Sequence, residues 1–278
     1  MPQTGSFLAF DTSTDVMSVA VTDGAQTWQH SAPGGASAST TLIPAILALL
    51  AQASLTLGDL QAIAFGRGPG SFTGLRTACA VTQGLAFGAN EGQGIPVLPI
   101  DTLLAVAEEA RWQYRTAHAQ QQLPQFITAL LDARMDEMYA QRYMCNGDAL
   151  TPVGPCELIQ PEQLQSQLLT FEEGQATLYA GNVFRVYAGR LPSGLNSSNC
   201  LQALPTATAL LRLAPALAAS GHCVAADQAL PLYVRDKVAQ TTAEREAAKL
   251  AKLAAASETT SDATSDLAAA SDPASAPT

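Results

Sequence analysis

GRGPGSFTGLR, which runs from Gly66 to Arg76, joins two apolar segments that have different periods. The preceding segment, Asp59–Phe65, is short and β-favouring and predicts a buried strand. The following segment, Thr77–Gly88, is apolar at helical spacing and predicts a helix. Glycine permits positive φ and a close approach to the backbone, and Ser71 or Thr73 can cap the helix. The stretch is therefore predicted to be a strand–loop–helix junction.

Two interpretations of this junction are open from its residues. The glycines can serve the packing of a tight turn, or the free N–H groups of the helix can face a bound phosphate group. The spacing does not match the common phosphate loops, because Gly70 and Gly74 are too close together and no Lys-Ser/Thr pair follows. The residues that would form a nucleotide or phosphate site are Asp11, Thr12, Ser13, Gly68, Gly70, Ser71, Thr73 and Gly74.

The candidate carboxylate, Asp11, ends the first of two short β-favouring runs, Phe7–Phe10 and Met17–Thr22. The polar residues between these runs predict a hairpin turn. In such a turn the carboxylate can satisfy backbone N–H groups, or it can help to hold a metal ion and phosphate. The nearest match to a second phosphate-binding turn is Tyr179–Asn182, and it is a poor one.

The segment Leu42–Ser54 predicts a helix that is apolar nearly all round. A surface helix needs only one apolar stripe, so this one is either a central core helix or a helix with one face on a second protein. In the second case we expect Ile46 and Leu49 to face outward.

The composition limits the classes of partner. The chain has 278 residues, of which 47% are hydrophobic and 14% charged, enough for two domains of ordinary size. Its formal net charge is −10. An acidic surface repels phosphate backbones, so the chain alone is predicted to bind nucleic acid poorly and to need a basic partner for any action on it.

The cysteines and histidines predict neither a metal site nor a cofactor. Five cysteines at wide spacing, without a CxxC pair, indicate a reducing compartment. His30, His118 and His222 are far apart in the sequence and form no ligand set. The N-terminus lacks the regions of a signal peptide, and no apolar run approaches the roughly 20 residues of a membrane-spanning helix. We therefore expect a cytoplasmic protein without a membrane segment.

The glycine-rich stretch also carries a family resemblance. Together with FDTST at Phe10–Thr14 and GLAFG at Gly84–Gly88, it resembles the bacterial TsaB (YeaZ) family. Similar stretches continue at Leu130–Tyr143, Tyr179–Tyr187 and Leu230–Arg235, so that the resemblance extends over roughly residues 7–238.

The alternation of strands and helices predicts an α/β fold. The resemblance implies the duplicated actin-like (sugar-kinase-like) architecture with two domains, of which the second is reduced. The expected boundaries are 1–101 for the first domain, which holds the GPGSFTGLR loop, and 102–240 for the second. An alanine-rich helix and a disordered acidic tail are predicted at 241–278.

The resemblance implies a non-catalytic subunit of tRNA threonylcarbamoyladenosine biosynthesis. Such a subunit binds the transferase TsaD and recruits the ATPase TsaE, for modification of the adenosine next to the anticodon. It reaches tRNA only through the complex, and in isolation it can pair as a homodimer. The His-x-x-x-His metal pair of TsaD relatives is absent, which predicts no independent transferase activity. The implied interface residues are Leu42, Ile46, Leu49, Leu50, Leu75, Arg76 and Val81.

Two other functions remain as alternatives. An active actin-like phosphotransferase would use Asp11 and the Gly66–Gly74 loop. A metallopeptidase would need a metal-ligand set that the sequence does not supply. The tripeptide Asp132-Ala133-Arg134 matches a feature of the family, and the sequence assigns it no chemical role.

Overall fold

The computed structural model describes residues 5–164, 176–195 and 199–235 as a mixed α/β structure. One compact unit spans Met1–Val234. The tail predicted at 241–278 lies outside the described residues.

The first sheet is built from the N-terminal part of the chain. Its strands are β1 (Phe7–Asp11), β2 (Val16–Thr22), β3 (Thr27–Pro33), β4 (Ala62–Gly68) and β5 (Val97–Asp101). They lie in the order β3-β2-β1-β4-β5. The first three form an antiparallel meander, which confirms the predicted hairpin, and β4 and β5 continue the sheet parallel to β1.

The second sheet repeats this plan strand for strand. Its strands are β6 (Phe126–Arg134), β7 (Glu137–Asn146), β8 (Ala149–Ile159), β9 (Thr177–Gly181) and β10 (Cys200–Gln202). Their order is β10-β9-β6-β7-β8, with an antiparallel meander β6-β7-β8 and with β9 and β10 parallel to β6. The two halves of the chain therefore have the same topology.

Helices cover both faces of the first sheet. The described α-helices are α1 (Ala38–Ala53), α2 (Phe72–Gly88), α3 (Thr102–Ala117), α4 (Val183–Val186) and α5 (Ala207–Ala219). The side chains of α1 and α2 pack with Leu8 and Phe10 on one face, and those of α5 pack with Phe7 and Ala9 on the other. Every residue of β1 is buried, as in a strand with both faces covered.

The helix α5 belongs to the second half of the sequence but packs against the sheet of the first half. It follows the strands of the second sheet, yet Leu210 and Leu211 pack on the first sheet. The last strand of the first sheet ends at Asp101, and the first strand of the second sheet begins at Phe126. The domain boundaries at 1–101 and 102–240 stay a prediction.

The helix α1 presents a different face to solvent from the one predicted. Leu42, Ile46, Leu49 and Leu50 are all in the core of the first sheet. These positions are four, three and one residue apart and so share one side of a helix. The expectation that Ile46 and Leu49 face outward is wrong. By length and composition, the helical stretch Gly35–Ala53 could cross a membrane. In this fold, however, the side that carries Leu42, Ile46, Leu49 and Leu50 packs into the core of the first sheet.

The glycine junction forms as predicted, with a shift of its boundaries. The strand β4 begins at Ala62, after a short 3-10 turn over Leu57–Asp59. The helix α2 begins at Phe72, five residues before the predicted start. Ser71 occupies the N-cap position without a side-chain capping bond.

A buried charge network joins α3 to α5, and the sequence analysis did not identify it. Glu108 and Glu109 are buried on α3. Arg212 on α5 donates from Nε to Glu108 Oε1 (2.8 Å) and from an Nη atom to Glu109 Oε2 (2.6 Å). Arg111 donates to the other oxygen of Glu108 at 2.7 Å. Two carboxylates are thus held by two guanidinium groups where the helices cross.

We expect Arg212→Ala to lower the free energy of unfolding by about 3 kcal/mol, because it leaves two buried carboxylates with a single guanidinium. Urea unfolding followed by circular dichroism measures the change. The matched control is Arg115→Ala, whose partner Asp148 is exposed. It should cost less than about 1 kcal/mol. Equal losses in the two variants would show that the network is not a source of stability.

Candidate functional site

The candidate site starts from Asp11, the last residue of β1, which is completely buried. Its Oδ1 atom accepts hydrogen bonds from the backbone N–H (2.8 Å) and the hydroxyl (2.6 Å) of Ser13. Its Oδ2 atom is buried and has no hydrogen-bond partner within the part of the chain that the structure describes. Burial raises the pKa of Asp11 to about 6, although the two bonds from Ser13 act in the opposite direction.

The first hairpin turn, Asp11–Asp15, lies directly on the glycines of the junction. A Cβ atom at Gly66 would overlap the Asp11 carboxylate, and one at Gly74 would overlap the Thr12 carbonyl oxygen. A Cβ atom at Gly70 would lie 2.6 Å from the carbonyl oxygen of Ser13, far inside normal contact. These three glycines are therefore required by the close approach of the protein's own atoms, the Asp11 side chain at Gly66 and the turn backbone at Gly70 and Gly74.

Two hydrogen bonds hold the turn in place. The Thr12 hydroxyl donates to the Gly74 carbonyl at 2.7 Å, and the backbone N–H of Ser71 donates to the Ser13 carbonyl at 2.7 Å. The structure thus brings Asp11, Thr12 and Ser13 together with the predicted loop residues. The packing interpretation accounts for the glycines, and the nucleotide or phosphate site stays a prediction.

The fourth glycine of the junction, Gly68, contacts a different segment. Its φ is +122°, and a Cβ atom there would lie 2.6 Å from the carbonyl oxygen of Leu232. The backbone N–H of Leu232 donates to the Arg67 carbonyl at 2.7 Å. We call residues Ala229–Val234 the C-terminal strap, since Leu232 contacts the junction at Arg67 and Gly68.

Arg76 has its partners within the fold. Its guanidinium lies over the Phe72 ring, 3.8 Å from the centroid, and its Nε donates to the Tyr233 hydroxyl at 3.2 Å. The rings of Phe72 and Tyr233 stack at a centroid distance of 4.9 Å. The structure thus supplies this cation with an aromatic pair from α2 and the C-terminal strap.

Most of the predicted interface residues are core residues. Leu42, Ile46, Leu49, Leu50 and Leu75 are buried, so their side chains are not available to a partner. Of the predicted set, Arg76 is exposed and Val81 is partly so.

The large apolar side chains that α1 and α2 do expose were missed. They are Ile43 (43% exposed), Leu47 (53%) and Phe87 (57%). Ile43 and Leu47 are four residues apart and so share a side of α1, but the all-round apolar sequence does not distinguish that side from the buried one. The helices pack beside each other, and Arg76 is the one charged residue in the sequence of either. We call their outward side the α1–α2 face.

The structure offers no metal centre in its described ranges. No group of three or more His, Cys, Asp or Glu side chains there could hold a metal ion.

Comparison with known proteins gives consistent matches. A family model described as TsaD: tRNA N6-adenosine threonylcarbamoyltransferase matches residues 26–269. The tRNA threonylcarbamoyladenosine biosynthesis protein TsaB of Haemophilus influenzae is 32% identical over 240 residues, which is 84% of this chain and 94% of that protein. The TsaB protein of Escherichia coli K12 is 30% identical over 233 residues, or 84% and 95% of the two chains.

Solved structures agree with the sequence matches. YeaZ from Pseudomonas aeruginosa is 34% identical, with a TM-score of 0.68 over 83% of this chain and all of that one. A second structure, described as an uncharacterized protein with similarity to peptidase YEAZ from the same organism, is 35% identical with a TM-score of 0.69 and covers 83% of this chain. With this identity over most of its length and a matching fold, the chain belongs to the TsaB (YeaZ) family of tRNA threonylcarbamoyladenosine biosynthesis proteins.

Proposed function

We propose that this chain is a non-catalytic scaffold subunit that binds TsaD and recruits TsaE for threonylcarbamoylation of the adenosine next to the tRNA anticodon. Its membership of the TsaB family supports a role in tRNA threonylcarbamoyladenosine biosynthesis. The α1–α2 face is the observation that carries the scaffold role.

The composition of the α1–α2 face is unusual for a surface in contact with water. Exposed helix faces normally carry charged residues, but α1 has none and α2 has only Arg76. Ile43, Leu47 and Phe87 project from the face. The small exposed residues Ala80 and Gly84 share one side of α2 with Phe87 and allow another helix to approach closely. Such a face, with protruding apolar side chains and a single charge, is typical of a protein–protein interface.

The relationship to TsaD suggests what covers this face. The TsaD family model matches most of this chain, so TsaD is expected to share its fold and to have equivalents of α1 and α2. Two related subunits can then pair through the same helices about a pseudo-two-fold axis. In isolation, the chain would pair with a second copy through the same face, so the homodimer competes with binding to TsaD. The repeated strand order supports an actin-like duplicated fold for both subunits.

The charge of the chain supports a role without direct tRNA binding. With a net charge of −10 it repels the phosphate backbone, so tRNA is expected to contact TsaD. We place the complex in the cytoplasm.

One observation favours the phosphotransferase alternative. The buried Oδ2 atom of Asp11 has no hydrogen-bond partner among the described residues, as a metal- or phosphate-binding carboxylate can lack one without its ligand. Against it, the Ser71 N–H already donates to Ser13, and the hairpin turn fills the space above the glycines. The metallopeptidase alternative has no comparable support.

We expect Leu47→Glu to weaken binding to TsaD at least about 100-fold, because it places a charge in an apolar interface. Calorimetry with purified TsaD measures affinity, and threonylcarbamoylation of tRNA by the complete system should fall in parallel. The matched control is Gln29→Glu on the exposed strand β3, which adds the same charge elsewhere.

Ile46→Glu is a second control, because Ile46 is buried and a charge there should unfold the first half. If Leu47→Glu stays folded and binds TsaD with unchanged affinity, the α1–α2 face is not the interface.

Asp11 gives a prediction on stability that also tests the alternative. The folded state holds the Asp11 proton up to about pH 6, whereas the unfolded chain releases it near the ordinary aspartate pKa of 3.8. The stabilising effect of the protonated form is therefore complete below about pH 4 and is lost as the pH rises to 6. The difference amounts to about 3 kcal/mol.

We expect Asp11→Asn to remove this decline in the free energy of unfolding between pH 4 and 6, measured by urea unfolding. Binding to TsaD should be unchanged. Detectable ATP hydrolysis by the wild-type chain alone, abolished in Asp11→Asn, would instead support the phosphotransferase.

A further inference from the structure

The turn of the first hairpin has a counterpart in the second half. The β1–β2 turn reads Asp11-Thr-Ser-Thr-Asp15, and the β6–β7 turn reads Asp132-Ala-Arg-Met-Asp136, so both have the pattern D-x-x-x-D. In each turn the first aspartate accepts a hydrogen bond from the backbone N–H two residues later. The distances are 2.8 Å for Ser13 and 2.9 Å for Arg134. Because the two sheets have the same strand order, these turns occupy equivalent places.

The third residue of the pattern distinguishes the two turns. Ser13 turns back to its own aspartate, whereas Arg134 extends to the other half of the molecule. One Nη atom of Arg134 lies 2.9 Å from each carboxylate oxygen of Asp15, and the other lies 3.4 Å from Asp132 Oδ2. A single guanidinium therefore joins an aspartate of the first turn to an aspartate of the second.

The second turn is held in an uncommon backbone conformation. Arg134, Met135 and Asp136 have φ values of 62°, 56° and 62°, the left-handed region that non-glycine residues rarely occupy. Such a conformation persists only when its surroundings fix it.

Contacts from its own half fix the second turn. The Tyr187 hydroxyl lies 2.7 Å from Asp132 Oδ1 and 2.8 Å from the Glu137 carbonyl, and Arg190 donates to Asp136 at 3.0 Å. Arg134 is thus presented to Asp15 from a rigid base.

We propose that Arg134 is a clasp that couples the two hairpin turns and sets their spacing. Without its guanidinium, Asp15 and Asp132 would be left as neighbouring like charges and would repel each other. The side chains of Arg134 and Asp15 are 68% and 83% exposed, so the pair adds little to global stability. The effect of the pair is local. It extends through the first turn to the glycine junction, because the backbone N–H of Ser71 donates to the carbonyl oxygen of Ser13. This role does not depend on the proposed function.

Hydrogen exchange in the full-length chain tests the clasp. The reporters are the amides of Ser13 and Gly34, which donate to Asp11 Oδ1 and to the Asp15 carbonyl. We expect Arg134→Gln to accelerate their exchange about fivefold, the population change that corresponds to losing one well-formed exposed ion pair. The melting temperature should change by no more than a few degrees, since the pair is exposed.

Two comparisons make the result specific. Arg115→Gln removes an ion pair with exposed Asp148 that belongs to neither turn, so it should leave the exchange of Ser13 and Gly34 unchanged. Asp15→Asn should also accelerate their exchange, but less than Arg134→Gln, because it leaves no like charge beside Asp132. The double variant should be no faster than Arg134→Gln alone, because both substitutions act on the same contact. The clasp is refuted if Arg134→Gln and Arg115→Gln give the same exchange at Ser13, or if the effects of Asp15→Asn and Arg134→Gln add.

Discussion

The contact between the first hairpin turn and the glycine junction is the constraint on which the first half of the molecule depends. The strand β4 and the helix α2 meet at glycines that contact the Asp11 carboxylate and the backbone of Thr12 and Ser13, and a side chain at Gly66 or Gly74 would separate them. The same turn uses the N–H of Ser71 at the start of α2. The direction of α2, and with it the α1–α2 face, follows from a close backbone contact that only glycine permits.

The repeated topology helps to explain why two similar turns now have different tasks. In the first half, the aspartate at the end of β1 is buried beneath glycines and has an elevated pKa. In the second half, Asp132 accepts hydrogen bonds from Tyr187 and from the backbone of Arg134. The same strand order therefore supports two different turns. The first is buried and orients a helix, and the second is exposed and contacts the first turn through Arg134.

Local features were predictable from the sequence, and long-range ones were not. The strand–loop–helix junction and the first hairpin follow from residue types at neighbouring positions, and both form. The outward side of α1 was misassigned because a helix that is apolar all round has no sequence pattern that distinguishes its buried side from its exposed side. Only the sheet beneath it selects Leu42 and Ile46 over Ile43 and Leu47.

Other features depend on residues far apart in the chain. Tyr233 meets Arg76 across 157 positions, and Arg134 meets Asp15 across 119. No periodicity or spacing encodes such pairs. The duplication was implied by the family resemblance but could not be read from the residue pattern, because the second half has longer strands in its meander and α4 is a single turn where α2 has 17 residues. Glycines at Gly66, Gly70 and Gly74 suggested a ligand because close approach by a ligand and close approach by the protein's own atoms require the same residue type.

The return of the C-terminal residues to the first sheet has a consequence for how the chain folds during synthesis. The first sheet is complete in sequence at Asp101, but Ala226 and Ala229 fill part of one of its cores, and α5 covers the other face. Until those residues leave the ribosome, Phe7, Ala9 and Leu98 lack their cover. A nascent chain must therefore keep this surface from aggregating while more than a hundred further residues are added. Because closing such a long loop slows folding, we expect the order of its elements to make the chain dependent on chaperone protection during translation.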